Sequence, residues 1–189
     1  MIEVRIHGRG GQGNVVAAYV LATAAFTEGW HAQAFPAFGA ERRGAPVVAF
    51  VRLNNKQIRR RCQVAHPDYL IIQDEALLQV PGLIDGLKPE GGVLLNSNKE
   101  PGAFRHLMPD NNIVTLPATQ LAIQHLGRPV PNTALLSAFL KLTGLMPTSA
   151  LGRALEQRFK GAILEKNIAL IEAAGDSIEA GAWQETANA

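Results

Sequence analysis

The chain has 189 residues, 47% of them hydrophobic, which is enough for one substantial core and too little for two. Lysine and arginine number 18 against 16 aspartate and glutamate, a net charge of +2 that is too balanced for a general binder of nucleic acid or membrane surfaces. A single cysteine, Cys62, excludes an internal disulfide, a CxxC redox pair and an iron-sulfur cluster ligated by this chain alone, and it points to a reducing compartment.

The first residues lack the basic, apolar and small-residue order of a signal peptide, and no apolar run reaches membrane-spanning length, so the expected location is cytoplasmic. Ile2, Val4 and Ile6 alternate with Glu3 and Arg5, which predicts a strand with one wetter face that ends at His7 and Gly8. Four glycines follow between Gly8 and Gly13. Asn14 to Glu28 reads as a helix, apolar from Val15 to Phe26 except at Thr23, so it needs cover on several sides. Gly29 closes it, and "WHAQAF" predicts a second strand that completes a strand, loop, helix, strand unit.

Val47 to Leu53 predicts a further strand. Asn54 and Asn55 suit a tight hairpin turn, with "KQIRRR" as a charged return arm on a protected sheet edge. Tyr69 to Ile72, Val93 to Leu95 and Ile113 to Leu116 are compact apolar runs, as in strands buried on both faces of a parallel sheet. Asp74 to Leu87 predicts a helix interrupted near "VPG", and Thr133 to Thr143 a second one. Ser149 to Ala180 is helical in pattern, with Ser149 as N-cap and Gly161 and Gly175 as breaks. The sum is one α/β domain over residues 1–189: a mostly parallel Rossmann-like sheet flanked by helices, with an antiparallel edge hairpin and C-terminal helices. Residues 1–180 form the expected ordered core, and 181–189 a frayed tail.

Gly8, Gly10 and Gly13 satisfy GxGxxG between a strand and a helix, where backbone N–H groups and a helix N-terminus can approach a phosphate. A dinucleotide site also needs an acidic residue at the end of the second strand, and "WHAQAFPAF" has none, which argues against a nicotinamide cofactor. Gly8 and Gly13 have the spacing of a phosphate loop as well, yet Asn14 and Val15 replace its Lys and Ser or Thr, so no ATPase follows. Two readings stay open: the loop Gly8, Gly10, Gly11, Gln12, Gly13 receives an anion, or its glycines only permit a tight turn and close helix packing. Gln12 offers both a donor and an acceptor at the loop mouth.

In "FPAFGAERRGAP", Arg42 and Arg43 can clamp a phosphate or carboxylate, or stand as a solvated pair beside Glu41. His7, His31, His66, His106 and His125 are scattered without metal-ligand spacing, so no metal site is expected. Asp74 and Glu75 follow the strand "YLIIQ" and read as a helix start near its dipole. There is no GxSxG elbow, and Cys62 is a weak nucleophile candidate, so no catalytic residue is expected in this chain by itself.

Together, "GRGGQGNVVAA" and "AQAFPAFGAERRGAPVVAFVRL" resemble the gamma subunit of pyruvate:ferredoxin oxidoreductase, within the wider 2-oxoacid:acceptor oxidoreductases. "PDYLIIQDEALL", "GRPVPNTALLSAFLKLTG" and "ALEQRFKGAILEKNIALIEAA" extend the resemblance over most of the chain. It implies a hetero-oligomer in which other subunits bind thiamine diphosphate, magnesium and iron-sulfur clusters, coenzyme A accepts the acyl group, and ferredoxin or flavodoxin accepts the electrons. This chain would then wall the coenzyme A channel, with Gly8 to Gly13, Arg42 and Arg43 facing phosphates or a neighbouring subunit. Three alternatives remain: a related enzyme acting on 2-oxoglutarate, branched-chain 2-oxoacids or indolepyruvate; a purely structural interaction subunit; and a free-standing nucleotide-binding oxidoreductase.

Overall fold

The computed structural model describes residues 1–37 and 44–184. In chain order the elements are β1 (Ile2–Arg9), α1 (Asn14–Thr27), β2 (His31–Pro36), β3 (Pro46–Asn54), β4 (Tyr69–Ile72), β5 (Gly92–Asn96), β6 (Asn112–Leu116), α2 (Ala118–Leu126), α3 (Asn132–Thr143), α4 (Ser149–Glu156) and α5 (Gly161–Asp176). Short 3-10 turns lie at Glu75–Gln79 and Pro101–Phe104. The six strands form one sheet in the order β2-β3-β1-β4-β5-β6.

β1, β4, β5 and β6 pair in parallel, while β3 is antiparallel to both β1 and β2. β2 therefore runs in the same direction as β1, with β3 inserted between them, and the expected strand, helix, strand unit exists in this split form. The antiparallel hairpin at the edge is real but is built from β2 and β3. The expected hairpin at Asn54 and Asn55 does not form, and "KQIRRR" is irregular chain. The reason is that β1 and β2 already occupy both edges of β3, so no ladder is left for a return arm.

One face of the sheet, with Val4 and Ile6 of β1, Ala49 and Val51 of β3 and Ile71 of β4, shares a core with the helices of the described residues: α1 and α3 pack on the sheet, and α2, α4 and α5 join through them and through one another. The opposite face is covered by the 3-10 turns and connecting chain, through Leu70, Ile72, Leu77, Leu83, Val93, Leu95, Phe104 and Met108. The charged side of β1, expected to be wet, is buried. Glu3 accepts from Arg52 Nε at 2.7 Å, and Arg5 Nη2 donates to Leu83 O at 2.8 Å. Arg52 is 1% exposed and reaches Gln63 O at 3.3 Å, which fixes the irregular segment after β3. A buried guanidinium needs a pair and hydrogen bonds, and Arg52 has Glu3 and Gln63 O, although its Nη1 and Arg5 Nε have no partner among the described residues.

Three helical expectations change. The helix expected over Asp74 to Leu87 is only one 3-10 turn, because Pro81, Gly82 and Gly86 follow it. Ser149 is the first helical residue with Thr148 as its cap, and Gly161 (φ +55°) separates α4 from α5, whereas Gly175 lies inside α5. α2 was not anticipated.

The tail expected to fray from residue 181 is ordered at its start. Trp183 is 2% exposed, stacks on Tyr69 at 5.5 Å between ring centroids, and donates its backbone N–H to Leu142 O at 2.8 Å. Gly92 makes room for it, since a Cβ there would lie 2.8 Å from the indole. Residues 185–189 lie outside the described residues. Removing a buried tryptophan leaves a large cavity, so Trp183→Ala is expected to lower the unfolding free energy by about 3–5 kcal/mol, read from urea denaturation.

Candidate functional site

The loop after β1 is held by its own backbone. Gly10 N–H donates to Ala45 O at 2.9 Å, and Gly44 N–H donates to Gly10 O at 3.2 Å. Gln12 N–H donates to Arg9 O at 3.0 Å, and its side-chain Oε1 accepts from Arg9 N–H at 2.7 Å. Gln12 thus spends its acceptor on closing the turn. Gly8 is required by packing: a Cβ there would lie 2.2 Å from Asn14 Oδ1, and Asn14 Nδ2 donates to Val47 O at 2.8 Å. Gly13 is required by conformation, with φ +79° at the N-cap of α1, and at Gly11, with φ +95°, no described residue lies within 4 Å of a Cβ position. The close-packing reading holds for Gly8, and the tight-turn reading for Gly13 and Gly11, whose positive φ angles shape the entrance to α1.

That entrance suits an anion. Gly13 gives no side-chain cap to α1, and the first turn carries no acidic residue. Its leading N–H groups, which have no intrahelical acceptor, add to the positive end of the helix dipole. Arg42 and Arg43, the cations expected to assist, lie outside the described residues. The segment that carries them ends at Gly44, which is bonded to Gly10.

Two cavities lie near the loop, one reached through Asn132 and the other lined by Gln12. One, about 410 Å³, lies among α1, α3, α4 and α5. Val16, Val20, Leu136, Leu155 and Phe159 make its walls apolar, and Arg128, Asn132 and Lys166 supply the polar rim. Neither Arg128 nor Lys166 joins any of the ion pairs among the described residues. Asn132 links this cavity to the loop: its Nδ2 reaches Gly13 O at 3.5 Å, and its Oδ1 accepts from Thr133 N–H at 2.9 Å.

The other cavity, about 370 Å³, is the crevice at the C-terminal ends of β1, β4 and β5. Gln12, Gln73, Asp74, Glu75, Asn96, Lys99 and Thr119 are among its lining residues. Asp74 accepts from Arg9 Nε at 2.6 Å and from Ala76 N–H at 3.0 Å, so it starts the 3-10 turn as expected of a helix-start residue. Glu75 accepts from Lys99 Nζ at 2.8 Å and from Ser97 Oγ, and these bonds hold its carboxyl below the usual range. Both carboxylates are thus tied up in pairs. Among the described residues no three His, Cys, Asp or Glu side chains converge as metal ligands, and Cys62 is exposed beside Arg52 Nη2.

The sequence reading missed Asn132, Arg128, Lys166 and Gln73. Gln73 had a usable signal, since a polar residue ending an apolar parallel strand falls where open α/β sheets bind ligands. The others gave none, because Arg128 and Lys166 are 38 residues apart and only helix packing brings them to one rim.

The fold and the loop define a Rossmann-like α/β domain whose helix entrance can receive an anion, with two cavities near the loop. A family model described as pyruvate ferredoxin/flavodoxin oxidoreductase matches residues 3–177, and the chain belongs to that family. It is 50% identical over 167 residues to pyruvate synthase subunit PorC of Methanothermobacter marburgensis, covering 88% of this chain and 92% of the relative. It is 46% identical over 169 residues to the pyruvate/ketoisovalerate oxidoreductases common subunit gamma of Pyrococcus furiosus, covering 88% and 91%. The crystal structure of pyruvate oxidoreductase subunit PorC from Thermotoga maritima superposes with a TM-score of 0.83 at 34% identity, covering 93% of this chain and 95% of that one.

His7, two residues before the loop turns at Arg9, is 6% exposed and its Nε2 has no protein partner among the described residues. Burial, with the Arg5 charge nearby, lowers its pKa to about 3. Between about pH 6.5 and that value the unfolded chain binds a proton that the folded chain refuses, so stability is lost as pH falls. Unfolding free energy measured against pH is expected to drop below pH 6.5 by at most about 1.4 kcal/mol per pH unit from this group. His7→Gln should remove that part of the slope.

Proposed function

We propose that this chain is the gamma-type subunit of a multisubunit pyruvate:ferredoxin oxidoreductase, and that it forms one wall of the coenzyme A channel. The complex oxidatively decarboxylates pyruvate to acetyl-coenzyme A and CO2 and passes the electrons to ferredoxin or flavodoxin. Thiamine diphosphate, magnesium and iron-sulfur clusters belong to other subunits in this reading; the described residues of this chain offer no converging ligand set for a metal or cluster. The chain is inactive by itself, works in the cytoplasm, and contributes binding surface without redox chemistry. Among the described residues no helix is long and apolar enough to cross a membrane.

The observation that carries this reading is the pairing of an uncapped α1 entrance with an adjacent apolar cavity rimmed by Arg128 and Lys166. Coenzyme A is a polyanion joined to an extended, weakly polar arm, and the two features match its two halves. Backbone N–H groups at Gly13 and the first turn of α1 hold phosphate oxygens, with Gly11 leaving room for their approach. Arg128 and Lys166 add charge at the rim, Arg42 and Arg43 are proposed to extend it, and Val16, Val20 and Leu136 exclude water from the arm. Held this way, the thiol end is directed away from this subunit, towards a partner that carries the acyl group.

A purely structural role has one observation in its favour: Tyr19 and Phe26 of α1 are 45% and 73% exposed, large apolar surface that the described residues leave uncovered. The two readings separate experimentally. Anaerobic affinity purification of the tagged chain from its own cells is expected to bring down partner subunits with pyruvate- and coenzyme A-dependent ferredoxin reduction. In that complex Arg128→Ala with Lys166→Ala should raise the KM for coenzyme A roughly tenfold and leave the KM for pyruvate unchanged. An unchanged KM for coenzyme A together with reduced subunit recovery would support the structural role instead. Tyr19→Ser with Phe26→Ser is expected to lower subunit recovery without moving the KM for coenzyme A in the complex that remains.

A further inference from the structure

The crevice at the ends of β1, β4 and β5 contains a feature that the coenzyme A reading leaves unused. Gln73 is 2% exposed and lines this crevice, yet neither its Nε2 nor its Oε1 has a hydrogen-bond partner among the described residues. Its backbone is fixed on both sides: the N–H donates to His7 O and the carbonyl accepts from Asn96 Nδ2, each at 2.8 Å. The neighbouring polar groups are satisfied internally. Asn96 also donates to Thr119 Oγ1 at 2.7 Å and accepts from Thr119 N–H at 3.1 Å, and the Asp74 and Glu75 charges are cancelled by Arg9 and Lys99.

A buried primary amide with both ends free costs stability wherever it merely fills space, because leucine would pack there without a desolvation penalty. It becomes useful where a ligand supplies the complementary edge, since such a site rejects analogues that lack it. We propose that this crevice is a second ligand subsite, in which Gln73 reads a neutral, planar group carrying an adjacent donor and acceptor. An aminopurine edge or a carboxamide has that chemistry. Charge pairing around the crevice favours an uncharged group, the strand ends hold the amide in place before binding, and about 370 Å³ accommodates one ring system. The proposal does not rest on the coenzyme A reading, because the probes below carry no phosphate.

The test titrates the full chain with adenosine and, separately, with nicotinamide, following backbone NMR resonances of Asn96, Ser97 and Thr119. Saturable shifts with at least one probe are expected in the wild type, and Gln73→Leu is expected to weaken that binding about tenfold or more while raising Tm by about 3 °C. Adenosine alone would identify an aminopurine, nicotinamide alone a carboxamide, and both the shared edge. Gln73→Glu, similar in size but without the amide donor, should also weaken binding and serves where the leucine variant is poorly folded. Absence of shifts with both probes at about 10 mM would overturn the proposal, as would equal binding by wild type and both variants.

Discussion

The side-chain amide of Asn14 sits in the space that a Cβ on residue 8 would fill, and the site is arranged around that contact. From there Asn14 donates to Val47 O, so one buried amide ties the start of α1 to β1 and β3 together. The antiparallel register sets Gly8 opposite Val47 and continues to Arg9 opposite Pro46. Gly10 then bonds to Gly44 and Ala45, and the loop has nowhere to drift. The helix entrance is consequently a fixed feature of the sheet, which is the condition under which weak backbone donors can position an anion.

The same strand explains the asymmetry of the fold. Ile2, Val4 and Ile6 of β1 face the helical side, whereas Glu3, Arg5 and His7 face the other way into a layer made of turns and irregular chain. A thin cover of that kind leaves polar groups near the sheet, and bonds from Arg52 to Glu3 and from Arg5 to Leu83 O offset part of their desolvation cost. It also leaves His7 buried in its neutral form. The helical face is closed at its end by Trp183 against Tyr69. The strand ends and the α1 entrance are where polar atoms and cavities accumulate.

Loop and cavities together suggest a division of labour. Backbone donors lie at the entrance of α1, an apolar wall with Arg128 and Lys166 lines one cavity, and an unpaired amide lines another. None of these groups is a nucleophile or a redox centre. The family to which the chain belongs includes relatives named as subunits of oxidoreductases.

Much of this was legible in the residues themselves. The apolar runs at Tyr69 to Ile72 and Val93 to Leu95, the glycine-rich turn and the long α1 follow from local pattern, and local pattern is what short-range sterics and burial dictate. Together with the motifs they were enough to suggest the family. What the residues could not give is which strand lies beside which. "KQIRRR" has the composition of a protected edge strand, but β1 and β2 compete for the same ladder and win it through the long-range register of β3. Glu3 and Arg5 look solvent-facing by alternation, and only the fold of the segment after Arg52 covers them. The rim of Arg128 and Lys166 and the unpaired state of Gln73 are likewise properties of packing. Local conformation is fixed by neighbours in sequence, whereas burial, pairing and cavities depend on contacts between residues tens of positions apart, and those exist only in the folded chain.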